Sequence, residues 1–411
     1  MYVLGNSTKH GGSFIMEGIL KGVRILDLGR FISAPFCGML LADMGAEVIK
    51  IERVGAGEDG RRLGPYKDGI SVYVTAFNRN KKGITINFRS DEGKALFRDL
   101  IAQSDVIIEN FRPGTMKKMG FDYEACKEIN PRIIMSSISG FGQEGRYSHK
   151  AAFDGIAAAM SGMYAINFTP TGPRPTGIPL GDHIAGIYNA LAIMMALYDR
   201  ERTGQGQYID TAMLDCLFSV FETRLPGFAL NGVDIGVVPK YDTGDPLACP
   251  SNVYKCKNGY VCLHAGTDPN YKRFAEITQD PDLMQEKYLL IENRMDDYFT
   301  VDKLTADWFA KQTVEDADRL LTDAGVPCGI VCNLDRILHD PNSAEREMVV
   351  YTEVPGLGKV PFVGSPLKLK SRPIQNRERA PLIGENNDEI FKGLLHKTDE
   401  ELEILRSNGV I

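Results

Sequence analysis

In the first half of the chain, short apolar runs alternate with segments whose apolar residues recur at helical spacing. Val23–Leu28 reads as a short strand, Phe36–Met44 (FCGMLLADM) as a helix and Glu47–Glu52 (EVIKIE) as a second strand. Ile84–Phe88, Asp105–Glu109 (DVIIE) and Arg132–Ser139 continue the strand series, with a helix over Asp91–Gln103. This alternation predicts an α/β fold with a parallel sheet covered by helices on both faces. Such sheets bind ligands at the carboxyl ends of their strands. Asp182 to Arg202 reads as a long helix stopped at Thr203–Gly206, and Gln207–Met213 as a strand running into another helix.

From about residue 226 the pattern changes. Pro, Gly and Asp crowd Leu225–Pro250, a hairpin is predicted around Asn258-Gly259, and helical patterns follow at Val301–Lys311 and Val314–Ala324. These predict a smaller α+β domain over 226–340. Residues 18–225 and 341–411 are assigned to the large domain, the latter ending in polar amphipathic helices. Residues 1–17 are expected to be a flexible leader, with Met16 as the native start.

The chain has 411 residues, 43% hydrophobic and 25% charged, enough for two ordinary globular cores. Its net charge is −7, and Lys and Arg are scattered. A nucleic-acid or anionic-membrane partner needs a concentrated basic face, so neither is expected. No uninterrupted apolar run approaches the roughly 20 residues of a membrane helix, and the N-terminus lacks a signal-peptide pattern, so a cytoplasmic location is expected. Eight cysteines form no CxxC, and only His264 lies close to one of them, so they are expected to be buried or incidental thiols, with no metal site.

Three segments carry candidate chemistry. Gly55-Ala-Gly-Glu-Asp-Gly60 is a literal GxGxxG, but it follows the second predicted strand rather than the first, and Glu58 and Asp59 would repel a pyrophosphate. The turn after the first strand, Gly29–Pro35, has no glycine cradle yet offers backbone amides at a helix start, suited to a phosphate or an amide-containing ligand. Glu109–Gly114 (ENFRPG) ends a strand and leads to Lys117 and Lys118. It is either an anion site or a polar turn with solvated lysines. In Pro179–Gly186 (PLGDHIAG), Asp182 is either an N-cap or a carboxylate held ionised by the helix dipole and accessible as a nucleophile. His183 beside it is either an acid–base group or a packing histidine.

Together, several ordered stretches resemble the family III CoA-transferases, also called the CaiB/BaiF family. They are Leu20–Glu52, Asn78–Ile86, Glu109–Gly120 (ENFRPGTMKKMG), Asn130–Gly142 (NPRIIMSSISGFG), Gly181–Gly186, Arg202–Asp215 (RTGQGQYIDTAMLD) and Ala380–Glu385 (APLIGE). The resemblance implies a Rossmann-like large domain built from both chain ends, an inserted small domain, and an interlocked homodimer. It implies coenzyme A, carried as acyl-CoA, as the ligand, a small carboxylic acid as the second substrate, no metal, and Asp182 as the nucleophile. It also places Phe31, Ile32, Ser33, Arg53, Ile86, Arg89, Asn110, Phe111, Lys118 and Met213 at the CoA site, with Lys118 supplying a point charge where a relative has arginine. The glycine-rich flap of some members has no counterpart in Ala248–Tyr254 (ACPSNVY).

The expected reaction is transfer of CoA from an acyl-CoA to a free acid through aspartyl–acyl anhydride and aspartyl–CoA thioester intermediates. The alternative within the same fold is an α-methylacyl-CoA racemase, which needs a histidine where this chain has Phe153, followed by Asp154. A CoA-dependent binding protein and a dinucleotide-dependent oxidoreductase are the readings from other classes. The donor and acceptor acids are not set by the sequence.

Overall fold

A computed structural model of the chain describes residues 18–166, 168–169, 172–232, 247–371 and 378–411. The predicted leader lies outside the described residues. The chain divides into two compact units: one holds the described residues up to Ser161, Ile178–Ser219 and Glu347–Ile411, and the other holds 162–177 and 220–346.

The first unit is built on six parallel strands: β1 (Arg24–Asp27), β2 (Glu47–Glu52), β3 (Lys81–Thr85), β4 (Val106–Glu109), β5 (Ile134–Ser139) and β6 (Tyr208–Ala212). Their spatial order is β3-β2-β1-β4-β5-β6, so the order reverses between β1 and β4. At such a switch point the two neighbouring loops diverge and leave a crevice. β3 begins three residues before the predicted strand, because its pairing with β2 takes in the polar Lys81 and Lys82 and Gly83 as well as Ile84 and Thr85.

Helices cover both faces. They include α1 (Ser33–Asp43), α2 (Val72–Phe77), α3 (Asp91–Ala102), α4 (Thr115–Met119), α5 (Asp154–Ser161), α6 (Leu180–Thr203), α7 (Met213–Phe218), and, near the C-terminus, α11 (Asn387–Gly393) and α12 (Asp399–Ser407). One apolar core joins Leu26, Ile49, Ile84 and Ile107 of the sheet to Phe97 and Leu100 of α3, and to Phe391 and Leu402 near the C-terminus. On the other side α1 packs against α6. By length and composition α6 could cross a membrane, which a count of uninterrupted apolar runs did not predict. Its buried side carries Asn189, whose Oδ1 accepts from Ser136 Oγ (2.6 Å) and Thr211 Oγ1 (2.9 Å) and so ties the helix to β5 and β6.

The second unit contains an antiparallel sheet of β7 (Ser251–Cys256), β8 (Gly259–His264) and β9 (Cys328–Ile330), so the hairpin at Asn258-Gly259 forms as predicted. Its core packs Tyr254, Val261 and Leu263 against Phe274 of α8 (Asp268–Thr278), Phe309 of α9 (Tyr298–Phe309) and Leu321 of α10 (Val314–Asp323). The segment Ala248–Tyr254 runs into β7. A second hairpin, β10 (Val349–Val354) and β11 (Gly358–Val363), belongs to the first unit and was not foreseen. All eight cysteines are free thiols.

Candidate active site

Leu180–Thr203 starts its helical turns at Pro179, which places Asp182 inside the first turn rather than at the cap. The capping role belongs to Asp154 at the start of α5. Its Oδ1 accepts from the amides of Gly181 (2.6 Å) and Asp182 (3.2 Å). With its helix capped by another residue, the Asp182 carboxylate turns instead to Ser33, whose hydroxyl and backbone amide both donate to it. Of the two sequence readings of Asp182, the N-cap is the one the helix does not bear out, since the cap position is Pro179. Burial and the nearby Asp154 carboxylate together push Asp182 up to about 6, against the Ser33 bonds and His183, which act the other way.

Ser33 is itself placed by the β1–α1 turn. Gly29 is required there, since a Cβ would stand 2.5 Å from the Ala34 Cβ and 2.8 Å from an Asp27 carboxylate oxygen. Phe31 adopts a φ of 64°, a left-handed conformation unusual for a bulky residue. The amides expected to face a phosphate are already engaged: Gly29 N donates to Asp27 Oδ1 (2.7 Å), Arg30 N to Asn110 Oδ1 (2.8 Å) and Phe31 N to Glu58 Oε2 (2.8 Å). Asn110 closes the set by donating to the Arg30 carbonyl (2.8 Å) and to Ser33 Oγ (3.1 Å). The ENFRPG segment is therefore first of all a brace for the turn carrying Ser33.

Beneath this turn lies a buried ionic cluster. Lys81 Nζ donates to Asp27 Oδ2 (2.7 Å), the Pro35 carbonyl (2.7 Å) and Asn78 Oδ1 (2.8 Å). Lys50 donates to the Gly29 carbonyl and sits 3.6 Å from Glu58. Burial alone would raise the pKa of Asp27, but Lys50 and Lys81 outweigh it and hold the carboxyl below the usual range. Of these charges the sequence analysis named only Glu58, and as an obstacle to a pyrophosphate; Lys50 lies within a strand-like run, where a charge is an anomaly that could have flagged it.

A cavity of about 470 Å³ opens at the carboxyl ends of β1, β2, β3 and β4. Of the residues singled out from the sequence, Arg53, Ile86, Arg89 and Phe111 line it. Phe31, Ser33 and Asn110 gather in the adjoining turn. Ile32 is buried, Met213 is buried at the start of α7, Lys118 is exposed on α4, and none of the three lines the cavity. Arg30, Gly57, Glu58 and Phe88 line it without having been foreseen as site residues. The GxGxxG segment does follow β2, and its acids serve the turn: Glu58 holds Phe31, while Asp59 pairs with Arg30 (2.8 Å) and Arg53 (2.5 Å). Arg30 also lies over the Phe111 ring, 5.0 Å from its centroid.

Around Asp182 the His183 ring meets Phe36 (4.9 Å) and Phe77 (5.9 Å) edge-on, and its Nδ1 bonds the Pro179 carbonyl (2.8 Å), which is a packing role. Phe153 is 70% exposed, with its ring 5.7 Å from that of Phe31.

Comparison with known proteins adds to this geometry. The model of the family described as CoA-transferase family III matches residues 20–387. The chain is 35% identical to a succinyl-CoA–D-citramalate CoA-transferase from Chloroflexus aurantiacus, covering 95% of this chain and 98% of that one. It is 34% identical to a formyl-CoA:oxalate CoA-transferase from Streptomyces coelicolor, covering 95% and 99%. Among solved structures, a CaiB/BaiF family protein from Brucella suis superimposes with a TM-score of 0.82 at 30% identity, covering 92% of this chain and all of that one.

Proposed function

Since the chain belongs to CoA-transferase family III, it is a CoA-transferase, and we propose that it moves CoA from an acyl-CoA to a free carboxylic acid with Asp182 as the nucleophile. One observation carries the assignment of Asp182. Its helix is capped by Asp154, so its own carboxylate is left to face two donors of Ser33.

In the proposed cycle an Asp182 oxygen attacks the donor thioester carbonyl, the C–S bond breaks, and an aspartyl–acyl anhydride and CoA thiolate result. The thiolate then attacks the Asp182 carbonyl, releasing the first acid as its carboxylate and leaving an aspartyl–CoA thioester. The acceptor carboxylate runs the same two steps in reverse. The Ser33 hydroxyl and amide supply hydrogen bonds where charge develops on the aspartyl oxygens. CoA occupies the cavity at the strand ends, its phosphates drawn by Arg30, Arg53 and Arg89 and its base set against Phe111 or Phe88. The relatives named above act on succinyl-CoA with D-citramalate and on formyl-CoA with oxalate, so small carboxylic acids of this kind are the proposed acceptors.

A homodimer belongs to the proposal. The outer face of α6 exposes Ile187, Leu191, Met195 and Tyr198 in a row, a face that a second copy would cover.

The test is to incubate the protein with acyl-CoA and no acceptor, then to trap with hydroxylamine. The modified mass is expected on the peptide containing Asp182, and Asp182→Ala should abolish transfer in a folded protein. Full activity of that variant would end the proposal.

A further inference from the structure

Glu109 closes β4 and has no part in the cycle above; it is 3% exposed and lies behind the cavity, whose lining includes Phe111 two residues on. Its Oε2 accepts from the amide of Phe111 (2.7 Å), fixing the turn that presents Phe111 to the cavity and Asn110 to Ser33. On its other side it is hydrogen-bonded by Ser137 of β5, which in turn accepts from the Tyr208 hydroxyl of β6 (3.1 Å). The charged groups that face it are Arg30, from the β1–α1 turn, and Asp210, from β6. Of these two charges Arg30 is the favourable one. That same guanidinium lines the cavity, bonds Asp59 and covers the Phe111 ring.

We propose that Glu109 is a positioning residue that takes up a proton when a phosphate-bearing ligand enters the cavity, so that ligand affinity and the charge of this buried carboxyl are linked. The inference rests on the reading of the cavity as a CoA site. An incoming phosphate competes for Arg30 and adds negative charge beside Glu109. Both effects favour the neutral acid, which still accepts from Phe111 N through its carbonyl oxygen and donates its proton to Ser137 Oγ. The carboxyl is already poised for the change. Burial, with Asp210 acting in the same direction, pushes it up to about 7 against the bonds from Ser137 and Phe111 and the charge of Arg30. By linkage, a group whose pKa rises on binding makes affinity fall as pH rises through its free value.

The probe is dephospho-CoA, which lacks the 3′-phosphate that itself titrates near pH 6. Calorimetry at pH 7 in two buffers of different ionisation enthalpy counts the protons taken up. The wild type should take up about half a proton more than Glu109→Gln, because a group with a pKa of about 7 is half-protonated at that pH. The wild-type affinity should weaken severalfold between pH 6.5 and pH 8, and that of Glu109→Gln should stay nearly level. If Glu109→Gln fails to fold, Ser137→Ala keeps the carboxyl but removes a bond that favours its ionised form, so the midpoint of the affinity profile should move to higher pH. Equal proton uptake by wild type and Glu109→Gln, or an unmoved midpoint in Ser137→Ala, would overturn the role of Glu109 alone. Absence of binding by the wild type at both pH values would instead sink the CoA reading of the cavity.

Discussion

Asp182 is a weaker acid than a surface aspartate, and that has two measurable signs. As a nucleophile it must be ionised, so kcat/KM should fall with unit slope below a pH of about 6. Asp154→Asn keeps an oxygen for the Gly181 and Asp182 amides but removes the neighbouring charge, so the same limb should move to lower pH. In stability the sign is opposite to that of a paired carboxylate. The folded pKa is raised, so the contribution is full below about pH 4 and is lost as pH rises through about 6. The Lys81 contact is tested by Lys81→Met, which leaves Asp27 short of a countercharge in the interior and should cost roughly 3–5 kcal/mol in denaturant melts. The α-carbon of the substrate should be left alone. With Phe153 an apolar ring and the Asp154 oxygen committed to α6, a 2-methylacyl-CoA in deuterated water should keep its α-hydrogen, and rapid exchange by mass spectrometry would favour an isomerase instead. At this scale the sequence was partly legible. Asp182 stood out because glycines flank it ahead of a helical pattern, while Lys81 and Glu109 looked like ordinary residues of polar or strand-like runs until β-pairing buried them.

Elements were read more surely than the contacts between them, because a period of 2 or 3.6 is local and a hydrogen bond from residue 31 to residue 58 is not. β2 matched its predicted limits, and the hairpin of β10 and β11 was passed over because its alternation is weak and broken by Pro361. The turn amides differ from expectation for a similar reason: an amide at a helix start reads as free unless its distant partner is known, and Asn110 and Glu58 are distant in sequence. Close approach of elements sets its own demands. Gly206 precedes β6 where a Cβ would lie 1.9 Å from the carbonyl oxygen of Ile133, so β6 meets β5 at this distance only with glycine. Gly206→Ala should lower stability by about 1–3 kcal/mol, read as a shift in the denaturant midpoint, since backbone rather than a flexible side chain must move.

For the whole molecule, the proposed homodimer is tested at the exposed apolar row on α6. Met195→Glu places a charge at its centre, where Met195 is 61% exposed. The variant should elute with half the mass of the wild type in light scattering, and an unchanged mass would show that the row is not the interface. The large unit also shows what its sheet edge depends on. β3 is one of the two edge strands, and it is closed by residues far along the chain: Gly83 N donates to Asn386 Oδ1, 303 positions later, and Thr85 N to Asn387 Oδ1. Asn87 N donates to the Val410 carbonyl, which is buried with Phe391 in the same core. Proteins emerge from the ribosome in order, at roughly 5–20 residues each second. The first strands are therefore made about 15–60 s before the residues that cover their edge, and residues 220–346 are completed in between. Through that interval β3 presents an open backbone edge and the Ile84 side of the core is uncovered. An open strand edge beside an uncovered apolar face invites pairing with other chains, so the nascent chain is exposed to aggregation in a way that the finished enzyme is not.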